Sequence, residues 1–466
     1  MAIPRLARTL WVRNTSTIAS MGGTRLYQTA VCEFGLLKNA KQMAEPSATA
    51  TMTTVTILLV RFLSFNGHYE YAENTHKSRT KVRHIFLPPR MYNWDAMKEF
   101  LRRLIQAETT PQKGELAAAQ IIAAELNQSG IESHIETWDQ TRANIIARVK
   151  SIRRKKALLF VCHLDVVGPG EAQWTHPPFA AVESDGKIYG RGAADMKGCI
   201  AAIVTAIREV VESGTQLQGD VILLGAAGEE TDSCGARRFV DDRAAIGQLT
   251  GVVITEPTEF EVVTAHRGLL WLELITKGKA AHGSTPHLGV NAIGSMKLVL
   301  DELENYGIPF EPHRLLGQCS MSINKIAGGQ AINIVPDKCS IAVDIRTLPS
   351  QNHNDIVAGF EKILAKLRKG NSQFAGEVSI IRDVQALETD NGCDFVRDFC
   401  SVVGRSRTKA VGFTTDGPYF TSLDAPVVVF GPGKSELCHK PDEYIDLADV
   451  AKAVDYYRYI ILHFLA

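Results

Sequence analysis

ALLFVC, residues 157–162, is a continuous apolar run that flows straight into His163 and Asp165. An unbroken run of this kind suits a strand covered on both faces, as strands are in parallel sheets flanked by helices. VILLGAA (221–227), GVVIT (251–255) and PVVVF (426–430) repeat the pattern. After Asp195, the residues Ile200, Ile203, Ala206, Ile207 and Val210 fall at helical spacing, and the helix they predict stops at Gly214. Strands and helices in alternation predict a three-layer α/β domain built on a mixed, mainly parallel sheet.

The texture changes between residues 268 and 382. LWLELIT (270–276), SMSINKI (320–326), CSIAVDI (339–345) and EVSII (377–381) alternate apolar and polar residues, whereas Asn291–Tyr306 and Ile356–Leu367 read as amphipathic helices. The order βαββαβ predicts a small α+β, ferredoxin-like unit inserted into the larger domain. The strands near 251 and 426 then share one sheet although the insert separates them in sequence. The expected division is therefore 91–267 with 383–466 for the larger domain, and 268–382 for the insert.

Residues 1–90 are of a different kind. No acidic residue precedes Glu33, and Arg5, Arg8, Arg13 and Arg25 sit among Ser, Thr and Ala, the composition of a mitochondrial transit segment. An upstream translation artefact and an accessory region are the other two readings, because Met91 opens a helical pattern (Trp94, Met97, Phe100, Leu101, Leu104) that needs nothing before it. On the first two readings the segment is a disordered extension.

Composition excludes several functions. The 51 basic and 51 acidic residues of this 466-residue chain balance, so no global field draws it to nucleic acid or to an anionic membrane. The apolar run Val55–Leu63 contains Arg61 and falls short of the ~20 helical residues that span a bilayer. Nine cysteines form no CxxC pair, which argues against a disulfide scaffold or a cysteine zinc cage and favours a reducing, cytoplasmic setting, with the mitochondrion as the alternative. There is no HExxH and no GxSxG, and Gly433-Lys434-Ser435 lacks the first glycine of a phosphate loop, Val428 standing in its place.

Candidate chemistry lies where open α/β sheets carry their sites, at the carboxyl ends of strands. His163 with Asp165, Glu229 with Glu230, Glu256 and His439 each follow a predicted strand, and Asp195 opens a helix. Two imidazoles among carboxylates suit zinc, manganese or cobalt and argue against copper(I) or iron–sulfur chemistry. His163, Asp195, Glu230, Glu256 and His439 exceed the three protein ligands of one catalytic zinc. Two divalent ions sharing a carboxylate, about 3.5–4 Å apart, use all five. Asp165 is placed to accept the proton of the second ring nitrogen of His163. Adjacent glutamates at a buried strand end repel unless a cation or a proton neutralises one. Cys162 and Cys438 read as core packing, and His176, His266 and His287 as surface or structural residues.

CHLDVV (162–167), GRGAADMKGCIAA (190–202), GEE (228–230), TEPT (255–258) and HKPDE (439–443) resemble, in order, the motifs of the metallopeptidase M20 family, and within it the acetylornithine deacetylase and succinyl-diaminopimelate desuccinylase group. The resemblance covers residues 91–466. It implies that Asp195 bridges two metals, zinc first and cobalt or manganese otherwise, with His163 and Glu256 completing one and Glu230 and His439 the other. It implies Glu229 as general base and Asp165 as the residue that orients His163. The insert is similar to that family's lid or dimerisation domain, so a homodimer through the lid is expected. AAHGSTP (280–286) implies that His282 stabilises the oxyanion, and INIVP and DIRTLP imply that Asn333 and Arg346 hold a substrate carboxylate. TTDGPYF (414–420) and FGPG (430–433) look like pocket-lining loops. The expected reaction is hydrolysis that removes the acyl group from a small N-acyl amino acid. A dipeptidase or carboxypeptidase is the alternative, and a non-catalytic binding protein of the same fold the distant one.

Overall fold

The computed structural model describes residues 93–153, 155–242 and 246–466, and the expectations for residues 1–90 lie outside them. In chain order the first part contains α1 (Trp94–Gln106), α2 (Leu116–Asn127), β1 (Ser133–Trp138), β2 (Arg142–Val149), β3 (Lys155–His163), β4 (Val182–Ser184), β5 (Lys187–Tyr189), α3 (Gly198–Glu212), β6 (Gly219–Ala226), α4 (Cys234–Asp241), β7 (Leu249–Ile254) and β8 (Val263–His266). Next come β9 (Gly268–Lys277), α5 (Ala292–Glu304), β10 (Ser320–Gly328), β11 (Lys338–Thr347), α6 (His353–Gly370) and β12 (Ala375–Val384). The chain closes with β13 (Leu387–Glu388), α7 (Asp394–Val402), β14 (Lys409–Val411), α8 (Gly417–Phe420), β15 (Val427–Val429), β16 (Tyr444–Asp446) and α9 (Leu447–Leu465).

The large sheet runs β1-β2-β6-β3-β7-β15-β8-β13, with β14 beside β8. Its centre, β6-β3-β7-β15, is parallel and its flanks include antiparallel pairs. The continuous apolar runs are explained by cover on both faces. α3 and α9 pack together on one side, where α9 also meets β3 and β6, and Ala236 and Phe239 of α4 with Phe420 of α8 close the other. All eight residues of β6 are buried. Asn93 caps α1 by accepting from the Asp95 and Ala96 amides, and α3 ends just before Gly214, whose φ of 69° is the left-handed turn a glycine makes without strain.

β7 and β15 pair in parallel, so the strands flanking the inserted sequence do share one sheet. Between them, β10-β11-β9-β12 form a separate four-stranded antiparallel sheet with the βαββαβ order and ferredoxin-like strand arrangement. Leu270, Leu272 and Leu274 of β9 and Ile341, Val343 and Ile345 of β11 bury one face against α5 and α6. A third sheet, β16-β5-β4, joins the chain after His439 to the segment before Asp195. Among the described residues no helix is long and apolar enough to cross a membrane.

Candidate metal centre

Register brings the donor-bearing strand ends level. His163, the last residue of β3, stands opposite Ala226 at the end of β6, and Val161 pairs with Ile254 at the end of β7. The loops that follow therefore open onto one rim, bringing Glu229 and Glu230 from β6 and Glu256 from β7 to the buried end of His163. Asp195 arrives from the loop between Gly192 and α3, and the Asp195–Met196 peptide is cis. His439 adopts a left-handed backbone, φ 65°, and its side chain is half exposed.

Five predicted donors converge. His163 Nε2 lies 3.0 Å from Asp195 Oδ1 and 3.7 Å from Glu256 Oε1. His439 Nε2 lies 3.3 Å from Asp195 Oδ2 and 2.9 Å from Glu230 Oε1. The two oxygens of Asp195 thus face two different imidazoles. Ligand atoms of His163, Asp195 and Glu230 all fall within 4.8 Å of one another.

Asp165 works differently from the expectation. His163 Nδ1 is 3.0 Å from the main-chain carbonyl of Asp165, whereas the nearer carboxylate oxygen stands at 3.6 Å, beyond hydrogen-bond reach. A carbonyl only accepts, so Nδ1 carries the proton and Nε2 is left as the donor atom for a cation. The Asp165 carboxylate instead accepts from three successive amides, Gly228 at 3.1 Å, Glu229 at 3.0 Å and Glu230 at 3.0 Å. It shapes the loop that carries both glutamates.

Electrostatics at the centre are those of acids crowded without enough positive charge. Burial, and then the neighbouring Glu230, pushes the Glu229 carboxyl well above the usual range. Burial raises Glu256 and Glu230 too, with Asp195 adding to each. Burial alone would lower His163, but Glu256, Asp165 and Asp195 outweigh it and hold the imidazole well above its ordinary value. Hydrogen bonds to Asp195 and Glu230 push His439 up to about 10. Protons are held where a cation would relieve the same repulsion. The N/O donor set and its geometry fit divalent metal ions.

The candidate residues of the inserted unit stand apart from this cluster. His282 is exposed, with Nδ1 2.7 Å from Ser284 Oγ and 3.1 Å from the Ser284 amide, and bridges to Ile334 beside Asn333. Arg346 pairs with Asp344 through Nε–Oδ1 at 2.9 Å and Nη2–Oδ2 at 3.1 Å. Among the described residues no hydrogen bond or ion pair links His282, Asn333 or Arg346 to the five donors.

Glu443 is a residue the motif reading passed over. Its Oε1 accepts from the Ala194 and Asp195 amides at 3.0 and 3.1 Å, and its Oε2 meets Arg191 Nη1 at 2.6 Å, fixing the backbone of Asp195 from beneath. Its place in HKPDE, together with the arginine in GRG, is the signal that was available. Cys438, expected to pack in the core, is only partly buried and borders the centre, where burial and then Asp195 push its thiol up. Cys162 is buried, His266 is fully buried against Thr415, and His176 packs at a tilt against Tyr189.

A three-layer α/β sheet whose strand ends gather imidazoles and carboxylates defines a class, the metal-dependent hydrolases of amide bonds. Residues 159–463 match the family described as peptidase family M20/M25/M40, and the chain belongs to that family. It is 31% identical over 349 residues to an acetylornithine deacetylase of Proteus mirabilis, covering 73% of this chain and 87% of the relative. It is 29% identical over 388 residues to a Staphylococcus epidermidis protein described as "Probable succinyl-diaminopimelate desuccinylase", covering 76% and 95%. Its fold is similar to that of an M20 family metallo-carboxypeptidase of Sulfolobus solfataricus, with a TM-score of 0.66, 20% identity, and coverage of 80% and 99%.

Proposed function

We propose that this chain is a two-metal amidohydrolase that removes the acyl group from a small N-acyl amino acid, in the manner its deacetylase and desuccinylase relatives' names describe. The observation that carries this is Asp195, whose Oδ1 and Oδ2 each face a different histidine, the disposition of a carboxylate shared by two cations. His163 and Glu256 would hold one ion, and Glu230 and His439 the other. Zinc suits the donors best, with cobalt or manganese as substitutes. When bound, such ions polarise the scissile carbonyl and acidify water.

The chain's own groups do the rest. Glu229 takes a proton from the attacking water as its oxygen bonds to the carbonyl carbon, then hands that proton to the leaving nitrogen as the C–N bond breaks. Asp165 and Glu443 hold the backbones of the acidic loop and of Asp195. We assign residues 268–382 as a lid whose closure brings His282 to the developing oxyanion and Asn333 and Arg346 to the substrate carboxylate. Arg346 is already paired with Asp344. The exposed Ile323 and Ile326 on β10, at the edge of the lid sheet, support a homodimer through this unit. Eight described cysteines are free, which supports a reducing, cytoplasmic setting.

A dipeptidase or carboxypeptidase is the second reading, favoured by the similarity to the Sulfolobus metallo-carboxypeptidase. Turnover of N-acetylornithine, N-succinyl-diaminopimelate, N-acetylmethionine and simple dipeptides by zinc- or cobalt-loaded enzyme separates the two. N-acyl amino acids should be hydrolysed with the highest kcat/KM, and preference for dipeptides would overturn the deacylase reading. Glu229→Ala should keep its metal and lose nearly all turnover; full activity would remove Glu229 as the base.

A further inference from the structure

We propose that Arg382, on the inserted sheet, is a positioning residue that holds the main chain of Glu229 and Glu230 in register, so that the attitude of the lid is felt by the base. This deepens the proposed function and rests on Glu229 being that base.

A bulge in β12 delivers the arginine. Val378 and Ile380 pair with Leu274 and Leu272 and so share their face of the sheet, where Val378 packs on the core beneath the helices and Ile380 stays exposed. The register then shifts by one residue, and Arg382 pairs with Trp271, on the opposite face. Were the register unbroken, the two-residue period of a strand would set Arg382 opposite Leu270 and turn it toward the helices. On the face it actually occupies, the guanidinium carbon sits 5.7 Å from the centre of the Trp271 ring.

From there Arg382 reaches out of its own sheet. Nη2 donates to the Glu229 carbonyl and Nη1 to the Glu230 carbonyl, the latter at 3.5 Å. These are the same two residues whose amides, with that of Gly228, are held by the Asp165 carboxylate. The acidic loop is gripped on its N–H side by the large sheet and on its carbonyl side by the insert. A planar guanidinium offers two parallel donors to adjacent carbonyls, which an ammonium cannot reproduce.

The surroundings keep the arginine drawn in. Asp416, 2% exposed at the head of α8, has neither carboxylate oxygen in a hydrogen bond, and Arg382 lies within its electrostatic reach. Arg382 Nε also lacks a partner. A buried carboxylate is costly unless positive charge nearby offsets it, and Arg382, after His163, is one of the charges that favour its ionised form. Arg382 is two residues from the end of β12, where the chain leaves the insert for β13. Rotation of the lid about this connection therefore moves the donors relative to the acidic loop.

The test compares wild type, Arg382→Met and Arg382→Lys, loaded with zinc for kinetics and with cobalt for visible absorption. Loss of a residue that orients the reacting groups should lower kcat per folded molecule by about 10- to 100-fold. KM should stay within about twofold, since substrate binding is not what is lost. The lysine variant should fall between the two, and the cobalt spectrum should shift because Glu230 moves. A lowered melting temperature with unchanged kcat and cobalt spectrum would make Arg382 an interdomain fastener and overturn the proposal, as would a raised KM with kcat intact. Should Arg382→Met fail to fold, the lysine variant decides by the same criteria. If wild type hydrolyses no member of the substrate panel, the proposed function fails, while the cobalt spectra still read Arg382 independently.

Discussion

His266 isolates one titrating side chain from the metal centre. It is fully buried, its Nδ1 lies 2.9 Å from the Arg267 carbonyl and must donate, and its Nε2 accepts from Thr415 Oγ1 at 3.0 Å. Burial lowers its pKa from 6.5 to about 4. Between those values the unfolded chain binds a proton that the folded chain refuses, so stability falls as pH drops through this window and is fully present above 6.5. The shift corresponds to roughly 3 kcal/mol at the acid end. Glu115 and Glu443, both pushed up to about 7 chiefly by burial, pull the other way and do so in any variant. In His266→Gln, chemical denaturation should show the stability gap to wild type narrowing as the solution is acidified; a gap independent of pH would contradict the buried neutral imidazole. At this scale the five donors were readable because each follows a strand end or opens a helix, and position in a sheet is a local property. Glu443, marked only by its place in HKPDE, and Arg382, marked by nothing in its neighbourhood, were not, because their partners lie far away in sequence.

The elements that carry the donors tolerate little displacement. Gly235, in the first turn of α4, lies against the main chain of Ala227, and a Cβ there would come 2.2 Å from the Ala227 nitrogen and 2.3 Å from Asn144 Oδ1. Asn144 ties the two together, donating to the Gly235 carbonyl and accepting from the Ala227 amide, both at 3.0 Å. Backbone cannot step aside as a flexible side chain can. Gly235→Ala should cost about 1–3 kcal/mol in a denaturant melt, the usual penalty of overpacking, and weaken metal binding because the strain falls on the loop bearing Glu229 and Glu230. Wild-type stability and metal affinity in this variant would refute that packing argument. Long buried strands such as β3 and β6 were legible from their apolar runs, and the strands of the inserted sheet from alternation. The short strands β8, β13 and β14 were not, since two to four residues hold no period and their pairing is set by neighbours. The bulge before Arg382 was equally silent: EVSII alternates as an ordinary strand, and one extra residue leaves no compositional mark.

For the molecule as a whole, a three-layer sheet with an inserted antiparallel unit followed from the order of patterns along the chain, because layer architecture depends on which faces must be covered. The relation of that unit to the centre did not follow. His282, Asn333 and Arg346 carry recognisable motifs, yet their meeting with the donors depends on a rigid-body arrangement that no local pattern encodes. What the whole chain does encode is the convergence of His163, Asp195, Glu230, Glu256 and His439 from five separate segments onto one rim of one sheet. Metal content of the protein, reconstituted with zinc, freed of excess ion and measured by plasma mass spectrometry, tests this most directly. Two zinc ions per chain are predicted, with activity lost on chelation and restored on adding them back; a chain that holds no zinc, or that turns over its substrate unimpaired after complete chelation, would contradict the account.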